Sequence, residues 1–185
     1  MPDPKALGCQ LDKLPRVRGR SSARWHARTR RASMSAMGSD QTAQPGDVLA
    51  IRALCERYAQ AVDAGDGAAF ASVFAQDGHL VSDYGGGETH FNGRDELALI
   101  PDGAKGIADT TMHFIGNHVA DIDGDSATGV TYCMANHLRD DRSNLVMAVR
   151  YFDRYTRGSD GDWLIVDRRV NIAWTETRQA DPADL

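Results

Sequence analysis

Cysteine is scarce in this chain. Cys9, Cys55 and Cys133 are the only three. They are odd in number, far apart and free of any CxxC spacing, which excludes a disulfide framework and a cysteine zinc site and fits a reducing cytoplasm. No apolar run approaches the roughly 18 residues that a bilayer span needs, and no apolar h-region for secretion is present. Nucleotide-binding signatures are missing too. Gly85-Gly86-Gly87 completes neither GxGxxG nor a Walker motif, so the triplet reads as a rim loop. A serine-hydrolase elbow is absent. Asp121, Asp123 and Asp125 have calcium-loop spacing, but Gly124 falls at the fourth position and Tyr132 takes the twelfth, where glutamate is required. There is no internal repeat.

What is present divides into two unlike parts. The chain has 185 residues and 42% apolar content, enough for one packed domain plus an extension. Residues 1–46 carry nine Lys/Arg against Asp3, Asp12 and Asp40, or +6. With a whole-chain charge of −5, the remainder carries −11. Arg16, Arg18, Arg20, Arg24, Arg28, Arg30 and Arg31 alternate with Ser, Ala and Gly without helix or strand period. Such a stretch buries too little apolar area to fold and is expected to be disordered. Three origins compete: a start assigned too far upstream, with Met34 and Met37 as alternatives, an Arg/Ser-rich presequence, or a nucleic-acid tail. The acidic remainder opposes the last, because it repels phosphate backbones.

From Asp47 a helix is expected, capped by Asp47, with Val48, Ile51, Leu54, Cys55, Tyr58, Ala59 and Val62 on its apolar face. Ala64-Gly65-Asp66-Gly67 ends it, and Asp66 caps a shorter helix that points Phe70, Val73 and Phe74 inward. His79 to Tyr84 reads as a strand, and Gly93 to Lys105 as a helical region interrupted at Pro101. Thr111 to Ile122, Ser126 to Leu138, Leu145 to Arg157 and Trp163 to Thr175 then form an antiparallel meander, turning at Asp123-Gly124-Asp125 and at Gly158 to Asp162. Helices followed by a long curled sheet imply an α+β fold, a cone of sheet wrapped around the first helix with one end open for a ligand. The domain is expected over 47–176, with 177–185 as a tail.

Strand parity selects the polar residues that matter, because alternate side chains face alternate sides. Leu164, Val166, Arg168, Val170, Ile172 and Trp174 share one row, which makes Arg168 a cation among core residues in need of a partner, with Asp63 and Glu96 as candidates. His113 shares its face with Ile115, Asn117 and Val119, whereas Met112, Phe114 and His118 face away, so His113 and His118 do not chelate one metal. Tyr58 lies on the apolar stripe of the first helix, and Asp63 at its edge. Each has a plain structural reading: core aromatic, turn carboxylate, hydrogen-bonded core histidine, buried ion pair. Together, Tyr58, Asp63, His113 and Arg168 suggest one polar site inside an apolar cavity, where an acid beside a histidine moves protons near neutral pH. Tyr84 and His137 are placed at its mouth as substrate contacts. Cys133 reads as packing.

The stretches Ile51-Arg52-Ala53-Leu54 with Tyr58, Ala61-Val62-Asp63-Ala64-Gly65-Asp66, Phe74-Ala75-Gln76-Asp77-Gly78, Met112-His113-Phe114-Ile115-Gly116-Asn117 and Trp163 to Arg168 carry a resemblance. Over roughly residues 47–176 the chain resembles the SnoaL-like branch of the nuclear-transport-factor-2-like superfamily. It is most similar there to scytalone dehydratase, bile acid 7α-dehydratase and hexachlorocyclohexane dehydrochlorinase. The resemblance implies a cystatin-like α+β barrel and a cofactor-independent, metal-free β-elimination driven by the Asp63–His113 pair, with Tyr58 and Arg168 stabilising developing charge. It also implies that Tyr84 and His137 contact substrate. Val62 departs from scytalone dehydratase, which has tyrosine there, and the dehydrochlorinase has lysine at the Tyr58 position. The expected partner is a small molecule rather than nucleic acid or membrane, and the expected assembly is a cytoplasmic homodimer or homotrimer. An isomerase or cyclase using the same base, and a non-catalytic binding or assembly module, are the alternatives.

Overall fold

The computed structural model describes residues 44–84 and 86–181. The segment 1–43 with Cys9, Met34 and Met37, Gly85 of the glycine triplet and residues 182–185 lie outside the described residues, as does the expectation of a disordered arm. Helix α1, Pro45–Ala64, begins two residues before the expected start, with Gln44 as its N-cap and Pro45 in the first turn, where a missing N–H costs no helical bond. Asp47 is therefore inside the first turn and is not the cap. Its carboxylate accepts from Trp163 Nε1 at 3.0 Å and pairs with Arg157 Nη2 at 2.9 Å, which fastens the start of the helix to the turn region between the last two strands.

Asp66 does cap α2, Gly67–Ser72, accepting the Ala69 N–H at 2.9 Å. Strand β1, Phe74–Asp83, starts earlier than His79, and an unanticipated strand β2, Glu88–Asn92, pairs with it. Two short helices follow, α3 at Gly93–Leu97 and α4 at Ile100–Lys105. Pro101 opens the second of these and does not interrupt a longer helix. The remaining strands are β3 (Thr110–Asp123), β4 (Ser126–Leu138), β5 (Ser143–Arg157) and β6 (Trp163–Gln179), the last running three residues past the expected end of the domain at 176.

The sheet order is β2-β1-β6-β5-β4-β3, with β1 parallel to β6 and every other pair antiparallel. This is the expected α+β fold. The six strands curve without closing, and β2 and β3 remain its two edges. The core forms where Ile51, Leu54 and Tyr58 of α1 meet Phe70, Phe74 and Ile165. Burying aliphatic and aromatic side chains there is worth about 1.5–3 kcal/mol each, so α1 is held by its apolar stripe more than by helix propensity.

Three irregularities in register decide which residues point inward. Val166 and Ala173 are extra residues of β6 against β5, and Gly116 and Asn117 together face Tyr132. Each such bulge shifts parity by one and sharpens the bend of the strand. Trp163 and Ile165 are therefore buried ahead of Arg168, while Leu164 and Val166 are not, and Trp174 is about half exposed on the outer face. In β3 the bulge turns His118 inward, where it reaches Thr131 of β4, and leaves Val119 outside and 72% exposed. His113 and His118 thus face the same side, contrary to simple alternation, although each is bound to different partners.

Candidate active site

Asp63 occupies the last turn of α1, which ends at Gly65 in the left-handed conformation (φ 66°). That positive φ strains any L side chain, so glycine is the residue that suits this helix end. The helix end directs the Asp63 carboxylate onto edge strand β3. Oδ1 lies 2.7 Å from His113 Nδ1 and accepts from Thr111 Oγ1 at 2.9 Å, while Oδ2 accepts from the His113 backbone N–H at 2.9 Å. Burial alone would raise the Asp63 pKa. Bonds from the His113 ring, the His113 amide and Thr111 outweigh it, so the carboxyl sits below its ordinary value and is ionised near neutral pH. An acceptor-only partner places the proton of a neutral His113 on Nδ1, leaving Nε2 as the nitrogen with a lone pair.

His113 lines a wide-mouthed groove of about 580 Å³ between α1 and β3, together with Glu56, Gln60, Asp63, Phe114 and Ile115. His137 stands edge-on to His113, with ring centroids 5.7 Å apart, and its Nδ1 donates to the Leu145 carbonyl at 3.3 Å. Burial first, then the neighbouring His113, push the His137 pKa down to about 4, so it is a neutral imidazole whose Nε2 carries a lone pair. Burial likewise raises the pKa of Cys133 to about 11, in keeping with packing.

Arg168 is placed elsewhere. It is fully buried, and Nε and Nη2 each bond a carboxylate oxygen of Asp153 at 2.8 Å, an acid that replaces the expected Asp63 or Glu96. Tyr155 donates its hydroxyl to the same carboxylate at 2.7 Å. The guanidinium is stacked between the rings of Tyr58 and Tyr151, 4.2 and 4.4 Å from their centroids. Tyr58 also packs on Phe70 and Phe74, and burial raises its pKa, so it stays a phenol. Tyr84, whose pKa is also raised by burial, packs against this same core. Cys55, Thr131 and His118 complete the inner polar cluster: Thr131 Oγ1 lies 3.2 Å from Cys55 Sγ and 2.9 Å from His118 Nδ1.

The four residues expected to share one site therefore fall into two groups, Asp63 with His113 at the groove and Tyr58 with Arg168 in the packed centre. Sequence reasoning missed Thr111 and Asp153. Both were legible by alternation, Thr111 two residues before His113, and Asp153 in the buried row Leu145, Met147, Val149, Tyr151, Tyr155, which runs without a bulge in β5.

Residues 46–169 match the SnoaL-like domain family. The chain belongs to that family. Three solved structures are similar to this chain in fold. Rv3472, a protein of unknown function from Mycobacterium tuberculosis, is 27% identical, with 70% of this chain and 76% of that one covered and a TM-score of 0.61. A candidate scytalone dehydratase from Novosphingobium aromaticivorans DSM 12444 is 22% identical, over 76% and 95% of the two chains, with a TM-score of 0.61. Hexachlorocyclohexane dehydrochlorinase LinA-type3 from Novosphingobium barchaimii LL02 is 16% identical, over 75% and 96%, with a TM-score of 0.64. No curated protein matches the chain. The last two, below 25% identity, speak for the fold alone, and the chemistry has to be argued from the residues.

Proposed function

We propose that the groove between α1 and β3 is the active site of a lyase that carries out β-elimination on a small, largely apolar molecule bearing a carbonyl or comparable electron-withdrawing group. The observation that carries this reading is the 2.7 Å contact between Asp63 and His113 Nδ1 beside an open groove. Asp63 fixes the tautomer and offsets the charge of the imidazolium that forms. His113 Nε2 takes the proton from the carbon next to the activating group. The C–H electron pair becomes the new π bond, and the leaving group departs with the electrons of its bond to the β-carbon. When the leaving group is hydroxide, the imidazolium returns the proton and water is released. Neither metal nor cofactor enters these steps.

Neutral His137 presents a hydrogen-bond acceptor next to the base, and Gln60 and Glu56 supply further polar contacts on the groove wall. Tyr58 and Arg168 act as a packed support behind α1, not as groups touching substrate. The structural neighbours named dehydratase and dehydrochlorinase agree with elimination as the reaction class. The same reading expects a cytoplasmic homodimer or homotrimer. No helix among the described residues is long and apolar enough to cross a membrane.

The three bonds that tie Asp63 to β3 favour a second reading, a non-catalytic binding module in which the dyad is structural. One experiment separates the readings: β-hydroxy and β-halo carbonyl compounds are incubated with the protein in D₂O and followed by mass. Loss of water or halide that disappears in His113→Ala supports the lyase. Deuterium uptake without mass loss identifies an isomerase. Neither change with any compound, while the folded protein still binds one, identifies a binding module.

A further inference from the structure

The outer face of the sheet carries an apolar surface that no element among the described residues covers. Inter-strand register places Phe114, Met134, Ala148 and Trp174 side by side in one row across β3, β4, β5 and β6, with Tyr132 and Arg150 paired in the neighbouring row. The row is high at its ends and low in the middle. Phe114 is 66% exposed and Trp174 49%, whereas Gly116, Ala148 and Ala173 project little or no side chain. The result is a trough of about 360 Å³ with aromatic walls. Met112 and Val119, 59% and 72% exposed, extend the same surface along β3.

Extent, charge and shape point to one occupant. Four strands at about 4.8 Å spacing, and β3 from Met112 to Val119 at about 3.3 Å per residue, give a patch of roughly 14 by 20 Å, wider than a small molecule and matched by another sheet face. The large side chains Met112, Phe114, Val119, Tyr132 and Trp174 expose on the order of 500 Å² of apolar area, the upper end for a monomer, and with a polar rim they approach the ~800 Å² per partner of a standard interface. Arg150 is the only charged residue that lines the trough, so two copies of an acidic chain meet there with the least repulsion. Knob and hollow lie in one row of one face, which is the self-complementarity a two-fold interface requires. We propose that a second copy of this chain packs on this face about a two-fold axis, with Trp174 of each copy seated over the Ala148 floor of the other.

Arg150 Nε is buried beside the trough without an acceptor among the described residues, a cost that an oxygen of the facing copy removes. Phe114 lines the groove between α1 and β3 as well as the trough, so the second copy holds in place a residue of the proposed active site. The pairing deepens the homodimer expected with the lyase reading. Assembly is measured without substrate, so the pairing can fail while that reading stands.

The test is sedimentation equilibrium of the full-length chain from about 1 to about 100 μM, where ordinary dimer affinities are read. A dimer is expected. Trp174→Glu and Ala148→Arg should each weaken it by about 30-fold or more, the loss typical of a central anchor, with thermal melts confirming that both variants fold. Leu49→Glu, at a 67% exposed residue of α1, should leave association unchanged. A full-length chain that stays monomeric at about 100 μM would overturn the proposal and leave the face to residues 1–43 or to a different protein. A trimer, or a dimer unaltered in both Trp174→Glu and Ala148→Arg, would overturn it as well.

Discussion

Two carboxylates in this molecule each hold a basic partner at hydrogen-bonding distance, and the difference between them lies in what the partner has left over. Asp153 takes two bonds from Arg168 and one from Tyr155 in a place without solvent, and both members of its ion pair have side chains at 0% exposure. Asp63 takes bonds from Thr111 and from the ring and amide of His113, but it sits at the rim of a groove and is 26% exposed. The inner pair is committed to packing between two tyrosines, and it is expensive to disturb. The outer pair engages only one nitrogen of its histidine in a hydrogen bond, and the proposed elimination uses the other. A buried charge signals that a partner exists, whereas a free lone pair beside a cavity signals reactivity.

That contrast is broken most sharply at the centre. Arg168→Met should lower unfolding stability by about 3–5 kcal/mol, because it strands the Asp153 carboxylate in a dry environment. Chemical denaturation measures this, and combining Arg168→Met with Asp153→Leu should recover most of the loss. If the single variant is as stable as the parent, the inner pair is not a structural anchor.

A smaller effect is expected at the rim, where Thr111→Val removes one bond to an ionised but partly solvated carboxylate. The cost to stability should be about 1 kcal/mol, read as a shift in the denaturation midpoint. Turnover in the elimination assay should fall as the orientation of His113 loosens. The smallest effect is acid dependence. The folded-state pKa of Asp63 is depressed, so its contribution is fully present above the unfolded carboxyl value of about 3.9 and is lost as pH falls through the folded value. Asp63→Asn should therefore flatten the stability profile on the acid side of about pH 4 while leaving the shape above it unchanged. Thermal melts across pH 2.5–7 would show this, and identical acid limbs would remove Asp63 from the account.

Much of this was legible along the chain. The stripe Ile51, Leu54, Tyr58, Val62 placed α1, Gly65 its end and Asp66 the next cap, since these signals act within a few residues. Asp63 and His113 stood out because each interrupts an apolar pattern. Asp153 interrupts one as plainly, in a row where alternation holds throughout β5. The misplaced residues Leu164, Val166, His118 and Trp174 share one cause. Each is a bulged residue or lies across a bulge from the residue that fixed its row, and one extra residue reverses every side chain beyond it.

Local patterns by themselves determined the helices, the meander, the α+β class and the presence of polar groups facing inward, because hydrophobic period and turn chemistry are short-range properties. Only the tertiary structure decided which polar groups meet. The partner of Arg168, the separation of Tyr58 from the Asp63–His113 groove and the row from Phe114 to Trp174 all depend on inter-strand register and on which strands become neighbours. Those are set by packing across the whole sheet, and no stretch of sequence contains them.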